Sequence, residues 1–151
     1  MIQTLSLILV LTTLVVLSWI DYKTFRLPDT LTLPLMMYGL LGNTLGFLNW
    51  TTWNSAIGGA MLGFGCLYAL NVLYKKIKGM NGVGMGDAKL LGALGALLGW
   101  EALPHILLIA SLSGLLGGYF LLKLQNRDMS YPIPFGPFIS LGGIITLLWL
   151  I

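Results

Sequence analysis

The chain has 151 residues, of which 57% are hydrophobic and only 9% charged, with a formal net charge of +3. A soluble domain carries about a quarter charged residues, so this composition excludes a water-facing globular surface and points to one integral membrane domain over 1–151. The Lys and Arg residues fall in short clusters between apolar runs, which excludes a nucleic-acid partner, and the lone cysteine, Cys66, excludes an internal disulfide or a cysteine zinc site.

Roughly 20 apolar residues span a bilayer, and six segments fit that template, some only with tilt. The first is Ile2–Ile20, which lacks the basic start and small-residue cleavage site of a secretory signal and reads as a retained helix. Leu31–Trp50 and Trp53–Tyr74 follow, then the shorter Asp87–Trp100 behind a glycine-rich lead-in, then Leu103–Leu122 and Phe135–Ile151. The expected fold is an all-α bundle of six transmembrane helices. Glycines spaced i, i+4 (Gly59 and Gly63, Gly95 and Gly99, Gly114 and Gly118) offer flat faces where helix backbones approach closely.

Charge alternates along the connections. Lys23 and Arg26 lie between the first two helices, Lys75, Lys76 and Lys78 between the third and fourth with Lys89 just beyond, and Lys123 and Arg127 between the last two. The remaining connections and both ends hold no Lys or Arg, so the positive-inside rule puts all the cations in the cytoplasm and both termini outside. Trp50, Trp53, Trp100 and Trp149 mark the outer boundary and Trp19 the inner one.

Five acids are present. Glu101 in an outer loop and Asp128 beside Arg127 read as solvated. Asp29, after Pro28 and before an apolar run, reads as an N-cap that complements the helix dipole. Asp21 ends the first helix and Asp87 opens the fourth. Each has a plain reading, interface carboxylate or cap, but Gly82, Gly84 and Gly86 ahead of Asp87 are more than a cap needs, because they allow unusual backbone conformations or close approach to a neighbouring chain. Both acids lie at the cytoplasmic ends of their helices, at one depth. If those helices touch, the carboxylates meet, and two close carboxylates share one proton: the charged member can activate water while the protonated member polarises a carbonyl. That pair would hydrolyse a peptide bond without metal or cofactor.

Four stretches carry a family resemblance: "IDYKTFRLPDTLTLPL", "GVGMGDAKLLGALGALLGW", "NRD" and "PIPFGPF". Together they resemble the type IV prepilin peptidases, aspartyl proteases with a GxGD motif, here Gly84–Asp87. The resemblance implies Asp21 and Asp87 as the catalytic pair, with Asp29 a recurrent acid outside it. It implies prepilin or pseudopilin substrates with a short basic leader, a glycine before the cut, commonly phenylalanine after it, and an apolar helix in the bacterial inner membrane. Cleavage would then occur where that helix meets the cytoplasm.

Pro132, Pro134 and Pro137 with Phe135 and Gly136 form an extended strip beside the site or a simple helix-breaking lead-in. Lys89 either tunes the pair by its charge or anchors its helix at the lipid headgroups. His105, in the outer loop, reads as structural. Many family members carry two Cys-x-x-Cys pairs linked to zinc and N-methylation; with one cysteine, this chain is expected to be a peptidase alone. The competing readings are a non-enzymatic membrane subunit or transporter, which would favour charges at mid-membrane and internal repeats, and a GxGD protease of other substrates.

Overall fold

The computed structural model describes residues 1–80, 82, 84–126 and 132–150, so Arg127, Asp128, Tyr131 and Ile151 lie outside the described residues. Among the described residues there are six α-helices: α1 (Ile2–Thr24), α2 (Asp29–Thr44), α3 (Trp53–Lys78), α4 (Met85–Leu98), α5 (Leu103–Leu124) and α6 (Gly136–Leu150). A single 3₁₀ turn, Trp100–Ala102, joins α4 to α5. Among the described residues there is no strand.

Local chemistry ends the helices. Thr52 caps α3 by accepting the Ser55 N–H, and Lys75, Lys76 and Lys78 in the last turn complement the negative end of its dipole. Gly99 closes α4 at φ 89°, a left-handed value that favours glycine. The second helix is shorter than expected, ending at Thr44 and not at Trp50. Beyond it the chain folds back: the Leu48 N–H reaches the Gly42 carbonyl at 3.0 Å and the Leu48 side chain is fully buried. An apolar run that turns into the core has the same composition as one that continues as helix, so periodicity could not find this turn.

The helix at the centre is α4. Ala88 and every residue from Leu90 to Leu98 are buried. This follows from how closely its neighbours come. On the α3 side Gly59 faces Gly95, and a Cβ on either would collide with the other's carbonyl. On the α2 side a Cβ at Gly39 would lie 2.8 Å from the Leu97 nitrogen. Small residues thus let two helices press their backbones onto a third. Gly114 and Gly118 behave differently from expectation: on α5 they make room for the side chains of Phe135 and Ile133, not for another backbone.

Enclosure leaves the last carbonyls of α4 without water. Asn43 answers this. Its amide donates to the carbonyls of Ala96 and Leu97, both at 3.0 Å, and its Oδ1 accepts from the N–H groups of Trp50 and Thr51.

Three stretches are long and apolar enough to cross a membrane: Ile2–Thr24, Trp53–Lys78 and Trp100–Leu124. Consecutive helices run antiparallel, so every Lys and Arg among the described residues lies at one end of the bundle, with Asp21 and Asp87. The opposite end holds Trp50, Trp53, Trp100 and Trp149.

Three stability outcomes follow from this packing, read by thermal unfolding in detergent. Gly95→Ala loses about 1–3 kcal/mol through overpacking, whereas Gly65→Ala, whose new Cβ meets nothing within 4 Å, gains up to about 1 kcal/mol. Asn43→Leu loses about 2 kcal/mol or more, because it strands buried carbonyls and N–H groups together.

Candidate active site

Asp21 occupies the last turn of α1 and is only 4% exposed. Its Oδ2 accepts the backbone N–H of Gly136, the first residue of α6, at 3.0 Å. A Cβ at position 136 would stand 2.5 Å from that oxygen, so the hydrogen bond requires glycine. Pro137 follows as the second helical residue, where a missing N–H costs nothing, and Phe135 supplies the carbonyl that receives the N–H groups of Phe138 and Ile139 at 3.1 Å. Residues 132–135 precede the helix and belong to no regular element. The "PIPFGPF" motif is therefore a device that delivers one N–H to Asp21.

Asp87 sits in the first turn of α4, capped by Gly84. The glycines before it serve close approach, not unusual backbone conformation. None of Gly82, Gly84 and Gly86 has positive φ. A Cβ at Gly86 would lie 2.8 Å from the Leu27 Cβ, and one at Gly82 would lie 2.6 Å from the Tyr74 ring. At Gly84 a Cβ would meet only the Asp87 carboxylate, 3.2 Å away. The Gly82 N–H is held by Asn71 Oδ1 at 3.0 Å, tying the lead-in to α3.

Both acids line one cavity of about 350 Å³, with Phe25, Arg26, Leu27, Met85 and the glycines around Asp87. Asp29 and Lys89 also line it, and Asp29 corrects the expectation of an N-cap. Asp29 is the first residue of α2 and its carboxylate makes no cap hydrogen bond. It pairs instead with Lys89, whose Nζ lies 2.7 Å from each carboxylate oxygen. The pair ties the first residue of α2 to the N-terminal part of α4.

Elsewhere, Glu101 is exposed but accepts a hydrogen bond from Ser55 Oγ at 2.7 Å. His105 stacks obliquely on Trp149 with ring centres 5.9 Å apart. Cys66 is exposed on α3. One residue that the sequence did not single out is Phe25. It ends α1 in the left-handed region, φ 54° and ψ 27°, with its N–H on the Asp21 carbonyl at 2.8 Å. No composition signal marks it, because glycine is the usual residue there.

Comparison with known proteins places this geometry in context. Residues 8–119 match the model of the type IV leader peptidase family, a span that includes Asp21, Asp29, Gly84, Gly86, Asp87 and Lys89 but stops short of 132–137. The chain is 47% identical over 146 residues to a prepilin leader peptidase/N-methyltransferase of Aeromonas salmonicida, covering 97% of this chain and 50% of that protein. Proteins of the same description from Pectobacterium carotovorum and Pseudomonas aeruginosa are 44% and 41% identical, over 91% and 90% of this chain. The chain spans about half the length of these curated relatives. No solved structure matches. With a family model covering most of its length and relatives this similar, the chain belongs to the type IV leader peptidase family.

Proposed function

We propose that this chain is an intramembrane aspartyl endopeptidase that removes the leader from type IV prepilins or pseudopilins, with Asp21 and Asp87 as its catalytic pair. The observation that carries the reading is that two carboxylates 66 residues apart in sequence line a single cavity at one end of the bundle.

Two carboxylates in that arrangement hold one proton between them. The ionised member takes a proton from water as the water oxygen attacks the peptide carbonyl carbon, and the protonated member gives its proton to the carbonyl oxygen. When the tetrahedral intermediate collapses, the C–N bond breaks, the leaving nitrogen receives a proton from the pair, and one hydroxyl of the gem-diol gives its proton back to the pair as the new carboxyl group forms, so the pair again holds one proton. The Gly136 N–H fixes the rotamer of Asp21 through Oδ2. The Lys89–Asp29 ion pair and the close Gly86–Leu27 approach hold α4, and hence Asp87, against the segment that follows Asp21. Lys89 and Asp29 are positioning residues in this reading.

In the membrane, the cation-bearing end faces the cytoplasm and both termini face outward, with six spans in the bacterial inner membrane. The helix α4 has 14 residues, about 21 Å of rise against ~30 Å of hydrocarbon. It tolerates the shortfall because protein encloses it, so its ends need not reach the headgroups through lipid. The pair then lies where an apolar substrate helix would emerge into the cytoplasm. Proposed partners are the substrate and the lipid bilayer. The relatives are also named N-methyltransferases; the Asp21–Asp87 pair accounts for peptide cleavage alone.

Asp21→Asn and Asp87→Asn, assayed as purified proteins in lipid with a prepilin, each lose roughly 10²–10⁴-fold in cleavage rate while remaining folded. Retention of full rate by either variant sinks the pair. Lys89→Met and Asp29→Asn lose about tenfold or less, and the exchange Asp29→Lys with Lys89→Asp recovers most of that loss. Failure of the exchange to recover activity argues that Lys89 acts on the reaction by its charge alone.

A further inference from the structure

The end of the bundle away from Asp21 and Asp87 carries a cavity that peptide cleavage does not use. It holds about 300 Å³ and is lined by Trp50, Leu98, Glu101, His105, Thr146 and Trp149, among others. We infer that it binds a primary ammonium group on a short alkyl stem, of the kind an ethanolamine phospholipid presents at the membrane surface. Three parts of the chain build it: the turn before α3, the turn joining α4 to α5, and the last turns of α6.

The walls select the sign of the charge. Among the described residues this end holds no Lys or Arg, and Glu101 is its one acid. Ser55 Oγ donates to Glu101 Oε2 at 2.7 Å, which pins the carboxylate and leaves Oε1 without a partner among the described residues. The indole face attracts a cation more strongly than the other aromatic side chains do, and Trp50 and Trp149 both stand in the wall. His105 packs on Trp149 with ring centres 5.9 Å apart, and its Nδ1 lies 3.4 Å from the Glu101 carbonyl oxygen, so it closes the wall between them. A carboxylate and two indole faces with no opposing lysine or arginine hold a cation and repel an anion.

A buried hydroxyl selects the kind of cation. Thr146 is 3% exposed, and its Oγ1 has no hydrogen-bond partner. Thr12, Thr13, Ser18, Thr44 and Ser113 each donate to the carbonyl one turn back in their helices. Thr146 does not, and it lines the same cavity as Glu101. Ser140 Oγ is the other such hydroxyl among the described residues, but it lies six residues nearer the start of α6. Leaving a buried hydroxyl unpaired is costly. A primary ammonium has three N–H donors, enough to serve Thr146 Oγ1 and the Glu101 carboxylate together, whereas a trimethylammonium has none. The volume equals about ten liquid waters, ample for an ethylammonium group. Trp149 and Leu150 are exposed on the outer surface of α6, so a lipid reaches the cavity sideways with its chains still in the bilayer.

The test follows tryptophan fluorescence of the purified full chain in a maltoside detergent and phosphate buffer, free of other amines. Short-chain phosphatidylethanolamine, phosphatidylcholine and phosphatidylglycerol are titrated separately, as is free phosphoethanolamine. The ethanolamine lipid half-saturates at a concentration about tenfold or more below the other two lipids. Glu101→Gln, which keeps an oxygen for Ser55, weakens that binding about tenfold or more, and Thr146→Val weakens it about threefold or more. Because Thr146 Oγ1 bonds to nothing in the fold, the valine removes no internal hydrogen bond, and thermal unfolding without lipid is expected to be no lower. Binding of the lipid well above that of free phosphoethanolamine supports the headgroup as ligand; equal binding keeps the site and assigns it to a soluble amine. Equal binding of all three lipids, or binding that neither variant alters, overturns the site.

Discussion

The backbone contact between α3 and α4 at Gly59 and Gly95 is the constraint on which the rest of the molecule depends. With no side chain between them, the two helices meet carbonyl to carbonyl, and Gly39 brings α2 nearly as close on another side. A helix approached this way is buried all round, and α4 is. Burial is tolerable because α4 is uniformly apolar from Leu90 to Leu98, and because Asn43 receives the carbonyls at its far end. The near end has no such apolar character. There the chain places Asp87, at the mouth of a cavity and beside another carboxylate.

Three ties hold that mouth together, and each comes from a different part of the chain. The Gly136 N–H reaches Asp21 from α6, Lys89 reaches Asp29 from α4, and Asn71 holds Gly82 from α3. None is strong alone; an exposed ion pair contributes about 0–1 kcal/mol, and Asp29 is 56% exposed. Their value lies in geometry. They restrict the motion of the two elements that carry the acids, and in the proposed shared-proton pair small changes in separation alter how one proton is divided.

Much of this was legible in the residues. The i, i+4 glycines on α3 and α4 announced a close helix contact, and alternating charge put all the cations at one end. Helix order alone puts Asp21 and Asp87 at the same end of the bundle. The boundaries were less legible. Leu45 to Trp50 looked like helix because a buried turn is as apolar as a buried helix. The pairing of Asp29 with Lys89 was illegible for a related reason: each has a good local explanation, a cap or an anchor, and a meeting across 60 residues leaves no local mark. Phe25 was silent, since a left-handed phenylalanine has no compositional mark.

By itself, then, the sequence determined that this is an apolar helical chain with its cations at one end and two carboxylates at matching depth, because hydrophobic runs, charge placement and small-residue spacing are properties read along one dimension. Only the tertiary structure decided which oxygen meets which N–H, that Lys89 belongs to Asp29, and that Phe25 lines two cavities. Those depend on pairs of residues far apart along the chain, and their contact energies exist only once the helices have packed.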